Sequence, residues 1–252
     1  MKRRTRRPAL KKLIRREIAR TVENKTRQYY VDDFVLFGSG SASQLDASIF
    51  PVTPASGELQ IDQGVGNGAR IGNRITTKRL MLRGTMVPLP FSGGVNTTPS
   101  PIQIKMWLFY DRRLPTNVPT PAGLADFFQN NNAAAGFSND LVDLWSPVNT
   151  DNYRVLATRM FKLGNSAYQA TAGGSVNAQY GANNDFKLNC NFSINCTKMV
   201  PKITKFDDNL SDPTSRGLYC MCQVVRADGN PITAGQTMAR MSYMLEYTYE
   251  DA

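Results

Sequence analysis

Apolar and polar residues alternate along most of this chain. In residues 186–196, Phe186, Leu188, Cys190, Phe192, Ile194 and Cys196 fall on one side, and Lys187, Asn189, Asn191, Ser193 and Asn195 on the other. A period of two without exception is the mark of a half-buried β-strand. Met241, Tyr243, Leu245, Tyr247 and Tyr249 alternate in the same way with Ser242, Met244, Glu246, Thr248 and Glu250. Denser runs rich in β-formers, residues 102–110 and 218–225, predict strands covered on both faces. Residues 30–37, 75–86 and 153–163 bring the predicted strands to seven, and an eighth is placed near residues 167–171. Tyr29 and Tyr30 suit the first strand, although tyrosines at the end of a basic segment also suit stacking on bases.

Long segments rich in Pro, Gly, Ser and Asn separate these strands: residues 88–101, 112–152, 164–185 and 198–217. Loops of this length inside one domain are usually functional or make contacts between molecules. One short helix is predicted in the second of them. Thr120 is its cap, Pro121 its first residue, and Leu124, Phe127 and Phe128 share its buried face. The expected fold is all-β, a single eight-stranded antiparallel jelly roll with long loops and one short inserted helix.

The chain has 252 residues and a net charge of +10, and the charge is not spread evenly. Residues 1–27 hold twelve basic residues against two acidic ones, while the other 225 balance. The cations are Lys2, Arg3, Arg4, Arg6, Arg7, Lys11, Lys12, Arg15, Arg16, Arg20, Lys25 and Arg27. The reading is therefore two-part: a basic N-terminal arm, 1–27, and a neutral shell-like body, 28–252. Crowded cations repel one another and build no core. A polyanion reverses that balance through counterion release, so nucleic-acid binding is the expected role and all twelve are candidate contacts. A nuclear-import address and a membrane-surface helix are the alternatives. Within the arm, Leu10, Leu13, Ile14, Ile18, Thr21 and Val22 recur at helical spacing behind Pro8, so the arm has the pattern of a helix.

Other chemistry is sparse. The chain has no histidine, which removes Ser-His-Asp and Cys-His nucleophile systems and histidine-ligated metals. No catalytic site, cofactor or metal is expected. No apolar run approaches the ~20 residues of a spanning helix, and the charged start does not read as a secretory signal. Gly64, Gly66 and Ala69 match a dinucleotide fingerprint, but β-prone sequence follows instead of a helix, so they read as a turn. Cys190, Cys196, Cys220 and Cys222 lack zinc-ribbon spacing and read as core residues. Asp207, Asp208 and Asp212 resemble calcium ligands only in composition, and turn chemistry explains them equally well. Arg70, Arg74, Lys78, Arg79 and Arg83 form a possible second phosphate-facing surface, with ion pairing across the sheet as the alternative.

Several segments, taken in order, resemble the capsid protein of circular Rep-encoding single-stranded DNA viruses, the circovirus-like kind. They are GNGARIGNRITTKRLMLRGTM from Gly66, IKMWLFYDRR from Ile104, SPVNTDNYRVLATRMFKLG from Ser146, FKLNCNF from Phe186, GLYCMCQVV from Gly217 and MSYMLEYTYED from Met241. The resemblance implies a jelly roll assembled as a homo-oligomer of roughly sixty copies into an icosahedral virion. It also implies an arm that faces a single-stranded DNA genome and doubles as a nuclear-import signal. Implied partners are the genome, host import machinery and a cell-surface receptor of unknown identity, and implied locations are the virion and, during assembly, the host nucleus. The arm is shorter than in many members of that family, and its helical periodicity is more regular than that of a plain arginine tract. A small RNA or satellite virus shell, or a non-viral nucleic-acid-binding protein with a basic tail, fits the same physical pattern.

Overall fold

A computed structural model describes residues 24–38, 48–55, 58–66, 68–89, 100–114, 124–131, 133–138, 140–164, 187–207, 212–232 and 236–251. Two antiparallel sheets pack face to face. The first joins β1 (Asn24–Phe37), β11 (Thr237–Asp251), β3 (Arg74–Pro88) and β8 (Cys190–Asn195) in that order, with β9 (Ile203–Lys205) also paired to β3. The second joins β2 (Ile49–Pro51), β10 (Tyr219–Arg226), β4 (Ile102–Asp111) and β7 (Tyr153–Leu163). Pairing is nested: β1 with β11, β2 with β10, β3 with β8 and β4 with β7. That is a long hairpin rolled up so that its two arms alternate between sheets, the topology of an eight-stranded jelly roll. All seven well-marked strands of the sequence are present. The remaining strand of the roll is β2, three fully buried residues too short to show a period, while residues 167–171 lie outside the described residues.

The alternation in β11 decides its orientation. Met241, Tyr243, Leu245, Tyr247 and Tyr249 are all buried, and the polar residues between them face out. They meet Leu80, Leu82 and Met86 of β3 and the second sheet's Ile104, Met106, Leu108, Cys220, Cys222 and Val224 in one continuous core. Phe50 and Tyr243 stack with ring centroids 4.1 Å apart, and Phe34 stands edge-on to both. Every cysteine is free, and Cys196, Cys220 and Cys222 are buried. Burial pushes the Cys196 thiol up to about 12, as expected of a packing residue. The alternation expected over residues 186–196 holds in part: Ile194 and Cys196 are buried, Leu188 precedes the strand and is exposed, and Phe186 lies outside the described residues.

A second core lies on the outer face of the second sheet. Residues within the long segment between β4 and β7 fold back over it, carrying Leu124, Phe127, Phe128 and Phe137 onto Trp107, Phe109, Tyr153, Tyr219 and Met221. This explains why β4 and β10 are apolar on both faces. The helix predicted here is absent among the described residues. Leu124 to Phe127 form a turn closed by the Phe127 N–H donating to the Leu124 carbonyl at 3.1 Å, and Phe128 begins β5 (Phe128–Asn130), paired to β6 (Ala133–Ala135). Three apolar residues at helical spacing were buried by a turn and a hairpin instead, and their cap residues, Thr120 and Pro121, lie outside the described residues. A single 3₁₀ turn, η1 (Leu141–Leu144), completes the overlay, held by Lys105, whose ammonium donates to the Leu144 carbonyl and sits 5.0 Å from the Trp107 ring.

Candidate nucleic-acid interface

β1 begins at Asn24, so the last residues assigned to the arm belong to the first strand. Lys2, Arg3, Arg4, Arg6, Arg7, Lys11, Lys12, Arg15, Arg16 and Arg20 lie outside the described residues, as does the helix expected around them. Lys25 and Arg27 are described, and they differ. Lys25 is 8% exposed, and its ammonium donates to Asp251 Oδ2 and to the Ala69 carbonyl, each at 2.6 Å. Its charge is satisfied inside the body, so Lys25 leaves the set of phosphate contacts. Arg27 stays exposed beside Gly68.

The glycine-rich stretch is a cap over this end of the roll. The Ala69 N–H donates to the Gly66 carbonyl at 3.0 Å, the Tyr249 hydroxyl to the Gly68 carbonyl at 2.8 Å, and the Ile71 N–H to Asp251 Oδ2 at 3.3 Å. Gly68 needs its glycine, with φ at +78°. β3 follows directly, so the stretch is a turn and not a dinucleotide cradle.

The second basic group divides. Arg70 is wholly buried: its guanidinium donates to the Gly72 carbonyl at 2.7 Å and to Asn73 Oδ1 at 3.1 Å, and lies 4.4 Å from the Phe206 ring centroid. It is a structural cation and does not face solvent. Lys78, Arg79 and Arg83 share the outer face of the first sheet with two carboxylates. Lys78 pairs with Glu250 at 2.5 Å, and Arg79 and Arg83 both pair with Glu246 at 3.3 and 3.5 Å. A bulge sets Thr248 opposite Arg79 but Tyr249 opposite Thr77, which turns the adjacent Lys78 and Arg79 to the same side. Arg74, exposed, opens β3. The ion-pair alternative thus describes Lys78, Arg79 and Arg83.

Asp207 and Asp212 are described and Asp208 is not; the Asp207 carbonyl accepts from Arg70 at 3.4 Å. Among the described residues no group of three or more His, Cys, Asp or Glu is placed to hold a metal ion. One cationic feature escaped the sequence. Arg112, Arg154, Lys198 and Arg216, from four separate segments, line a single open groove of about 580 Å³. None stands in a basic run longer than two, so no local pattern announces their meeting.

No family model and no curated protein sequence matches the chain. Among solved structures, an unassembled VP1 pentamer of KI polyomavirus is similar at a TM-score of 0.26 and 10% identity, covering 91% of this chain and 95% of that one. Merkel cell polyomavirus VP1, in complex with GD1a oligosaccharide, gives 0.21 and 7% over 90% and 94%. A structure described as a KBV activated particle at acidic pH gives 0.22 and 7% over 91% and 68%. Likeness this slight carries no argument, and the jelly roll stands on the chain's own strand order.

Proposed function

We propose that this chain is the shell protein of a small icosahedral virus and packages single-stranded DNA through its basic arm. One observation carries the reading: the net positive charge is concentrated in residues 1–27, most of it ahead of β1, and the residues behind them balance in charge and form the jelly roll. A closed roll with long loops assembles through those loops and its strand edges, and symmetry closes the shell. Apolar side chains left in solvent, Trp145 at 78% exposure and Tyr30 at 76%, suit contacts between copies. With roughly sixty arms inside, the positive charge is on the order of hundreds, a counter-charge for a packaged strand. Binding through backbone phosphates carries no base information, so packaging through the arm is indifferent to sequence. The choice of DNA rests on the ordered segments that resemble circovirus-like capsid proteins. The same arm serves as a nuclear-import address, and the site of action is the virion and, during assembly, the host nucleus.

The test replaces Arg3, Arg4, Arg6, Arg7, Arg15 and Arg16 by Gln in the full chain. Particles are expected to form but to lose nuclease-protected nucleic acid. Variant particles that still carry protected nucleic acid at the wild-type level contradict the role of the arm.

A further inference from the structure

The groove lined by Arg112, Arg154, Lys198 and Arg216 lies at one end of the roll, where the two sheets part. Tyr110 at the end of β4 stands opposite Arg154 at the start of β7. On the other side is the turn after β8, fixed by the Met199 N–H donating to the Cys196 carbonyl at 2.9 Å and by the Tyr110 hydroxyl donating to the Met199 carbonyl. Leu156, Met199, Val200 and Pro201 give the groove apolar walls. All four cations are exposed, no carboxylate lines the space, and none of the four is ion-paired among the described residues. Seven cations outside the groove, Lys25, Lys78, Arg79, Arg83, Arg113, Arg226 and Arg240, each meet an acid. Four like charges drawn into one concavity repel unless an anion joins them.

The groove and the root of the arm share an end of the molecule. Lys25 of β1 stands opposite Tyr249 of β11, and Tyr249 opposite Thr77 of β3. Thr77 in turn donates its hydroxyl to the Pro201 carbonyl at 3.0 Å, and its N–H to the Lys202 carbonyl at 2.8 Å. Three inter-strand steps of ~4.8 Å put the start of β1 about 15 Å from the groove wall.

We infer that this groove is a second binding site for single-stranded nucleic acid, holding phosphates on its four cations and sugar or base faces on its apolar walls, in series with the arm. The inference rests on the packaging reading above and extends it to the body. A single strand fits because its bases are free to turn onto Leu156, Met199 and Pro201, which a duplex denies. The volume lies inside the ~300–1,000 Å³ range of ligand sites.

The test is fluorescence anisotropy of a labelled oligothymidylate of about 20 nucleotides with the full chain, titrated from about 50 to 200 mM salt. A groove variant carries Arg112→Ala, Arg154→Ala, Lys198→Ala and Arg216→Ala; an arm variant carries the six Arg→Gln changes above. Four phosphate contacts at ~0.7 ions each predict a salt slope shallower by about 3 in the groove variant, and affinity about tenfold or more weaker at low salt. Photo-cross-linking of a 5-iodouridine oligonucleotide to the wild-type chain is an independent readout, expected to label Tyr110 or Met199 whether or not the variant folds. A folded groove variant with the wild-type slope, or cross-links confined to the arm, overturns the groove while the arm reading stands. A groove variant that loses heparin but keeps oligothymidylate also overturns it, in favour of a sulfated polysaccharide. A wild-type chain that binds no oligothymidylate removes the packaging reading and the groove together.

Discussion

Two residues near Tyr243 show how tightly the roll is specified. Gly84 sits in β3 opposite Tyr243 and Phe192, and a Cβ there would lie 2.6 Å from the Ser242 carbonyl oxygen and 2.7 Å from the Phe192 ring. A neighbouring backbone cannot move aside cheaply, so Gly84→Ala is expected to cost about 1–3 kcal/mol, measured by urea unfolding. Glu58 carries the opposite kind of tension. Burial pushes its carboxyl up to about 7 from an ordinary 4.5. Between those values the folded chain binds the proton that the unfolded chain has released, so this group makes stability fall as pH rises from about 4.5 to 7. With solvent screening, the loss is on the order of 1 kcal/mol. Glu58→Gln is expected to raise the melting temperature at pH 8, leave it little changed at pH 4.5, and flatten the profile between. An unchanged profile contradicts the assignment.

At the scale of elements, the overlay between β4 and β7 is held by an aromatic cluster and a charged knot. Trp107 is fully buried beneath Phe127, Phe128 and Phe137. Trp107→Ala is expected to cost about 3–5 kcal/mol and to open the overlay to limited proteolysis before the sandwich itself. Arg113 donates to both oxygens of Asp111 at 3.0 and 2.8 Å, to Asp126 Oδ2 at 2.8 Å, and to the Tyr153 hydroxyl at 2.5 Å. Asp111 is 1% exposed, so Arg113→Ala leaves a buried charge unpaired and is expected to cost about 3 kcal/mol by the same urea titration. Lysine rescues poorly, since a single ammonium cannot reproduce the fork. Seven strands were legible because they carry a period of two or a dense apolar run, while β2, three residues long, carries neither. The overlay was not: Leu124, Phe127 and Phe128 are spaced as a helix would space them, and only the apolar outer face of β4 and β10 directs them into a turn and hairpin.

For the whole molecule, the concentration of cations in residues 1–27 is read from the sequence alone, because net charge needs no three-dimensional knowledge. Two refinements came only from the fold. β1 starts at Asn24, which takes Lys25 into the body against Asp251, and the nested pairing brings Arg112, Arg154, Lys198 and Arg216 together from positions up to 104 residues apart. Conversely, the basic group from Arg70 to Arg83 looks continuous in the sequence, yet Arg70 is buried in the turn ahead of β3, and β3 sets Lys78, Arg79 and Arg83 against Glu246 and Glu250.

Sedimentation velocity of the purified full chain, with absorbance recorded at 260 and 280 nm across the boundary, tests the central claim most directly. Roughly sixty copies of a 28.0 kDa chain predict a closed species of about 1.7 MDa whose absorbance at 260 nm exceeds that at 280 nm. A monomer or dimer with a protein-only spectrum, unchanged by added single-stranded DNA at low salt, contradicts it.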